Sequence, residues 1–295
     1  MNAFRFYQIT QEQLDEQARA HGVQNISRYY SLTDFHEGSF LNQLQDKAQV
    51  FAQIAFHAQN ATMISSIVKF ETNIEFLKET LCQFDPDRFL HTFSVGTRDE
   101  SVKRITEALR YNETSGAGLK WNSGKSKEEN KDRIIKRYAN TLLDAAAFVN
   151  EFNSRAEFLA ELLLHYPDAD YEQVISFFRS KIPHGFSIAL TCDFLKEFDT
   201  HFSDLPKPDI HIKDTLCALL GLDDGYYNNP KRELDCIKKM REIVCEINSQ
   251  MDPEEQVTVY QLDRMIWLIC SGNFYLDVAD NYKETYLRVL REEDR

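Results

Sequence analysis

The chain has 295 residues, 43% apolar and 27% charged, with 10 glycines and 7 prolines, a balance that excludes collagenous, low-complexity and wholly disordered classes. Its 34 Lys and Arg against 47 Asp and Glu give a net charge of −13, which opposes indiscriminate coating of nucleic acid or anionic membrane but leaves room for a local basic site. The length suits one large domain or two modest ones and is enough to bury a sizeable core.

The first sixteen residues turn polar and acidic too early for a signal peptide, and no apolar run approaches the roughly 18–20 residues that span a bilayer. Phe4-Arg5-Phe6-Tyr7 alternates weakly and hints at a strand, whereas sustained period-two alternation is nearly absent elsewhere. Residues 1–35 read as an N-terminal extension and 36–295 as a helical domain. From 112 to 130, glycine, serine and asparagine accumulate, which predicts an exposed loop between helices. Around that loop, residues 94–140 hold eleven Lys and Arg against seven Asp and Glu, the one locally basic stretch, read as a solvated helix face plus a loop. Ser123-Gly124-Lys125-Ser126 imitates the end of a phosphate-binding loop, but Leu119 stands where the first glycine belongs and no strand precedes it.

Further along, Asp170 with Gln173 has capping-box spacing, and Tyr171 to Ser180 reads as a helix. Pro183 and Gly185 break it within 181–187, and a second helix runs through Ile188, Ala189, Cys192 and Leu195. Such a hairpin leaves backbone N–H groups free at the start of its second helix, where they can donate to a phosphate. Next, Leu205-Pro206-Lys207-Pro208-Asp209 leads into an apolar helix marked by Ile212, Thr215, Leu216, Leu219 and Leu220. Asp209 is read either as the N-cap of that helix or as a carboxylate aimed into a cleft, and position alone does not separate the two. Asp223-Asp224-Gly225 is a turn, and Asn229-Pro230 a helix start. Ile237, Met240, Val244, Ile247 and then Val259, Leu262, Ile266, Ile269 each line one helical face, the second behind a Thr258/Gln261 capping box. Six scattered cysteines show no zinc-ligand or disulfide pattern and read as mostly buried thiols in a reducing cytoplasm. The chain is therefore expected to be all-α.

Ile182-Pro183-His184-Gly185-Phe186-Ser187-Ile188-Ala189, followed about twenty residues later by Pro208-Asp209-Ile210-His211-Ile212, resembles the helix-hairpin-helix (HhH-GPD) DNA glycosylase superfamily. In that family a hairpin of the type L-P-G-V-G-x-K-T-A precedes a V-D-T-H-V-like segment whose aspartate is catalytic. Weaker likenesses extend the match over roughly residues 40–275. Ile54 to Thr62 is similar to an early helix ending in a duplex-probing glutamine, Tyr138-Ala139-Asn140 to the helix before the hairpin, and Gln261 to Trp267 to the closing helix.

The resemblance implies a two-lobed helical fold with a hairpin and a cleft between lobes. It implies duplex DNA with a damaged or modified base as partner, and Asp209 as the catalytic carboxylate. Pro183-His184-Gly185-Phe186-Ser187 would contact the DNA, the amides of Gly185, Phe186 and Ser187 holding one phosphate directly or through a bound monovalent or divalent cation. Lys136 and Arg137 would flank it, and Gln59 would fill the space the base leaves. The family's strand-cleaving lysine is replaced by Ser187, or by Ile188 in a register shifted by one, which implies a monofunctional enzyme. Cys236, Cys245 and Cys270 lack the spacing of the iron–sulfur loop some members carry, so no cofactor is expected. The runner-up reading is a non-catalytic DNA- or protein-binding module. Tyr138, Trp267 and Tyr275 are candidates for base stacking but read first as core, and His57, His184 and His211 as hydrogen-bonded structural groups.

Overall fold

A computed structural model describes residues 1–31, 40–61, 64–111, 117–121, 131–271 and 282–293. Fourteen α-helices occur among the described residues: α1 (Ala3–Ala20), α2 (Asp46–Ala58), α3 (Ser65–Val68), α4 (Ile74–Thr80), α5 (Pro86–Phe93), α6 (Arg98–Leu109), α7 (Lys131–Asn150), α8 (Arg155–Leu164), α9 (Tyr171–Lys181), α10 (Ile188–Phe198), α11 (Ile210–Leu219), α12 (Glu233–Asn248), α13 (Val259–Ser271) and α14 (Lys283–Glu293). Among these residues β-pairing is limited to one bridge, Arg110 with Leu119, so the all-α expectation holds. No described helix is long and apolar enough to cross a membrane.

The chain forms two compact units, Gly38–Phe194 and Met1–Glu37 with Leu195–Arg295, with one boundary inside α10. In the first, α2, α5 and α6 pack on α7. Ala139, Ala145 and Ala146 of α7 are fully buried, and their small side chains let neighbouring backbones come close. Phenylalanines fill the space between: Phe51 packs edge-on to Phe89 at 5.1 Å, and Phe148 meets Phe158 at 5.1 Å.

In the other unit α1, α11, α12, α13 and α14 share one core in which Phe6, Ile9, Leu216, Met240, Ile266 and Leu290 are buried. Phe4-Arg5-Phe6-Tyr7 is helical, contrary to the strand hint. Asn2 caps α1 by accepting from the Arg5 N–H at 2.8 Å, and Phe6, Ile9, Leu14 and Ala18 then fall on one buried face at helical spacing. The first residues thus contribute to a core. The three apolar sets read from the sequence are buried as expected, apart from half-buried Leu220. Thr258 and Gln261 make a complete capping box, with bonds of 2.8 and 3.1 Å. Asp170 caps α9 through the Glu172 and Gln173 N–H groups.

Candidate functional site

α9, the turn Ile182–Ser187 and α10 form the expected hairpin. Gly185 sits at φ +98°, a left-handed conformation that glycine adopts without strain, and a Cβ there would collide with Thr141 Oγ1. That close approach seats the turn on α7, where the Thr141 hydroxyl also donates to the His184 carbonyl at 2.6 Å. Phe186 is buried against Phe178 and Phe194, with centroids 5.2 and 6.4 Å away, and Arg179 donates to its carbonyl at 3.3 Å. Ser187 begins α10 by accepting from the Leu190 N–H at 3.2 Å. Pro183, His184 and Ser187 are exposed. Lys136 and Arg137 are exposed one turn before Asn140 and Thr141 on α7, and Arg179 is exposed on α9, so this face of the unit carries several cations.

Sequence reasoning missed the group that holds the hairpin tip. Asp144 of α7, 8% exposed, receives His184 Nδ1 at 2.6 Å and Arg98 Nη2 at 2.7 Å on its two oxygens. Arg98, the first residue of α6, also donates through Nε to Asn140 Oδ1 at 2.7 Å. An available signal was Asp144 itself, a carboxylate among Leu142, Leu143, Ala145 and Ala146 with Phe148 four residues on, so that no cation on its own helix could pair with it.

Asp209 belongs to the other unit and caps α11. Its Oδ1 accepts from the His211 and Ile212 N–H groups at 2.9 and 3.2 Å, so the N-cap reading is satisfied while Oδ2 takes no part in the cap. The segment before it is fixed by the buried Lys196–Asp263 ion pair, whose Asp263 Oδ2 also lies 3.4 Å from the Lys207 N–H. Two further pairs, Lys213–Glu233 and Lys283–Asp214, each 2.6 Å, hold α11 to its neighbours. His211 is partly buried and its Nδ1 has no partner. Burial lowers its pKa, Asp209 and Asp214 oppose that shift, and Lys283 and Lys207 add to it. Burial likewise pushes the nearby Cys270 thiol up to about 12, which makes it an inert core group.

The other candidate residues are mostly buried. Gln59 is 6% exposed and its Oε1 accepts from the Phe70 N–H at 2.9 Å, so it braces a turn inside its unit and is not placed to probe a duplex. Tyr138 is fully buried and donates to the Ala55 carbonyl at 3.1 Å, which makes it core. Trp267 is half-buried beneath the Arg264 guanidinium at 4.8 Å. His57 is buried 3.4 Å from Asp193. Four of the six cysteines are buried and all six are free thiols. Tyr275 and Ser123-Gly124-Lys125-Ser126 lie outside the described residues, as does most of the 112–130 loop, although Leu119 within it is buried.

No family model matches the chain, and comparison with the curated proteins and with the solved structures gave no match.

Proposed function

We propose that the protein is a monofunctional DNA glycosylase of the helix-hairpin-helix class, which removes a damaged or modified base from duplex DNA. The observation that carries the reading is the ordered pair of devices its motifs imply. One is a tight hairpin with Gly185 seated on Thr141 and Ser187 exposed just before α10; the other is an aspartate at the head of α11 with one oxygen outside the cap.

In this reading the hairpin amides and the exposed Lys136 and Arg137 hold the DNA backbone, and the target nucleotide is turned out of the stack. As the N-glycosidic bond breaks, its electron pair leaves with the base and positive charge develops on the deoxyribose. The Asp209 carboxylate stabilises that charge and accepts a proton from the water whose oxygen bonds to C1′. Ser187 and Ile188 at the motif's lysine position cannot form a Schiff base, so the product is an intact abasic strand.

Duplexes carrying a panel of deaminated, alkylated, oxidised and otherwise modified bases test the proposal. The expected result is strand scission at one class of lesion that appears only after hot alkali. Scission without alkali, or a borohydride-trapped adduct, would contradict the monofunctional assignment. No base release from any duplex would remove the enzymatic reading.

The second reading, a non-catalytic DNA-binding module, is favoured by one observation: Asp209 Oδ1 already performs a complete structural task as a cap. It predicts a salt-sensitive affinity for DNA, unchanged in Asp209→Asn, without base release.

A further inference from the structure

We infer that the hairpin grips a DNA phosphate through the His184 side chain, held ready by Asp144 and Arg98, in addition to its backbone amides. This inference rests on the hairpin binding DNA as proposed above, but not on base excision.

His184 lies at the exposed turn, yet its ring is fixed: Nδ1 meets the buried Asp144 Oδ2 at 2.6 Å, and the Thr141 hydroxyl holds its carbonyl at 2.6 Å. With the Nδ1 proton donated to the carboxylate, Nε2 on the opposite edge of the ring is left for a ligand. Arg98 lies 3.1 Å from the same Nδ1 but is anchored by Asp144 and Asn140, and its side chain stays 45% exposed beside the imidazole. One buried carboxylate thus orients an imidazole and a guanidinium at the tip of a turn. In the imidazolium form both ring nitrogens donate, and the two side chains then match a phosphodiester oxygen, which accepts several hydrogen bonds at once.

The charged groups facing the ring are Asp144 from α7 and Arg98 from α6. On α9, Arg179 is engaged with the Phe186 carbonyl and Lys181 with Glu151 at 2.6 Å. A phosphate at the outer edge of the His184 ring therefore meets a face that already carries Arg98, Lys136 and Arg137.

Fluorescence anisotropy of a labelled undamaged duplex, at fixed pH over a series of salt concentrations, tests this on the full chain. His184→Gln should bind about tenfold more weakly than the wild type. Its salt slope of log K should also fall by about 0.9, the signature of one lost phosphate contact. Asp144→Asn, which keeps an acceptor for Arg98, should weaken binding less than His184→Gln. Equal affinity and equal salt slope for wild type and His184→Gln would overturn the inference while leaving the hairpin's role intact. No DNA binding by the wild type would overturn both. Thermal melts of each variant separate a lost contact from a lost fold: His184→Gln should melt close to the wild type, and Asp144→Asn below it, because the charge that pairs with Arg98 is gone.

Discussion

At the residue scale, Asp209 has two tasks that one substitution separates. Asparagine is as good an N-cap as aspartate, so Asp209→Asn keeps the bonds to the His211 and Ile212 N–H groups and removes only the charge. Asp209→Ala should cost about 1 kcal/mol of stability in denaturant melts, whereas Asp209→Asn should melt with the wild type. Gly185→Ala should cost about 1–3 kcal/mol, because alanine is strained at φ +98° and its methyl collides with Thr141. The same melts check it, and Thr141→Ala should recover only the steric part. Both positions were legible from the sequence, since Pro-Asp before an apolar helix and Pro-x-Gly between two helices are local signals. Gln59 and Asp144 were not. Burial of Gln59 depends on where Phe70 lies, and the partners of Asp144 come from residues 46 positions before it and 40 after it.

At the scale of elements, helical periodicity gave the apolar faces because each face needs only its own sequence, whereas ion pairs join elements distant in the chain. Lys196 and Asp263, 2% and 3% exposed, pair across 67 positions and brace the end of α10, the Leu205–Pro208 segment and α13. Asp263→Ala should destabilise the protein by about 3–5 kcal/mol in chemical denaturation, because it leaves the lysine charge buried without its carboxylate. Lys196→Met combined with Asp263→Leu should cost less than Asp263→Ala alone. Phe4-Arg5-Phe6-Tyr7 shows the limit of short windows: four residues fit either period, and only the continuation through Ile9, Leu14 and Ala18 selects the helix.

At the scale of the whole molecule, stability should depend on pH through His211. Burial lowers the pKa of the folded state, so above the ordinary imidazole range both folded and unfolded chains hold the ring neutral and nothing is lost. As pH falls through that range the unfolded chain takes up the proton first, and stability declines until the folded state is protonated too. His211→Gln should therefore lose less stability than the wild type between about pH 7.5 and about pH 5.5 in paired urea titrations; parallel losses would contradict the role given to burial. The all-helical class was readable from periodicity, caps and breakers, whereas the division into two units was not, because the first 37 residues join Leu195–Arg295 through contacts between segments far apart in sequence.

The most direct test of the account is single-turnover base release by wild type and Asp209→Asn on the responsive duplex, with the DNA affinity of each measured alongside. The account predicts alkali-revealed cleavage by the wild type, loss of turnover in Asp209→Asn, and DNA affinity retained by the variant. Equal base release by both proteins would contradict it, because Asp209 would then be only the cap of α11.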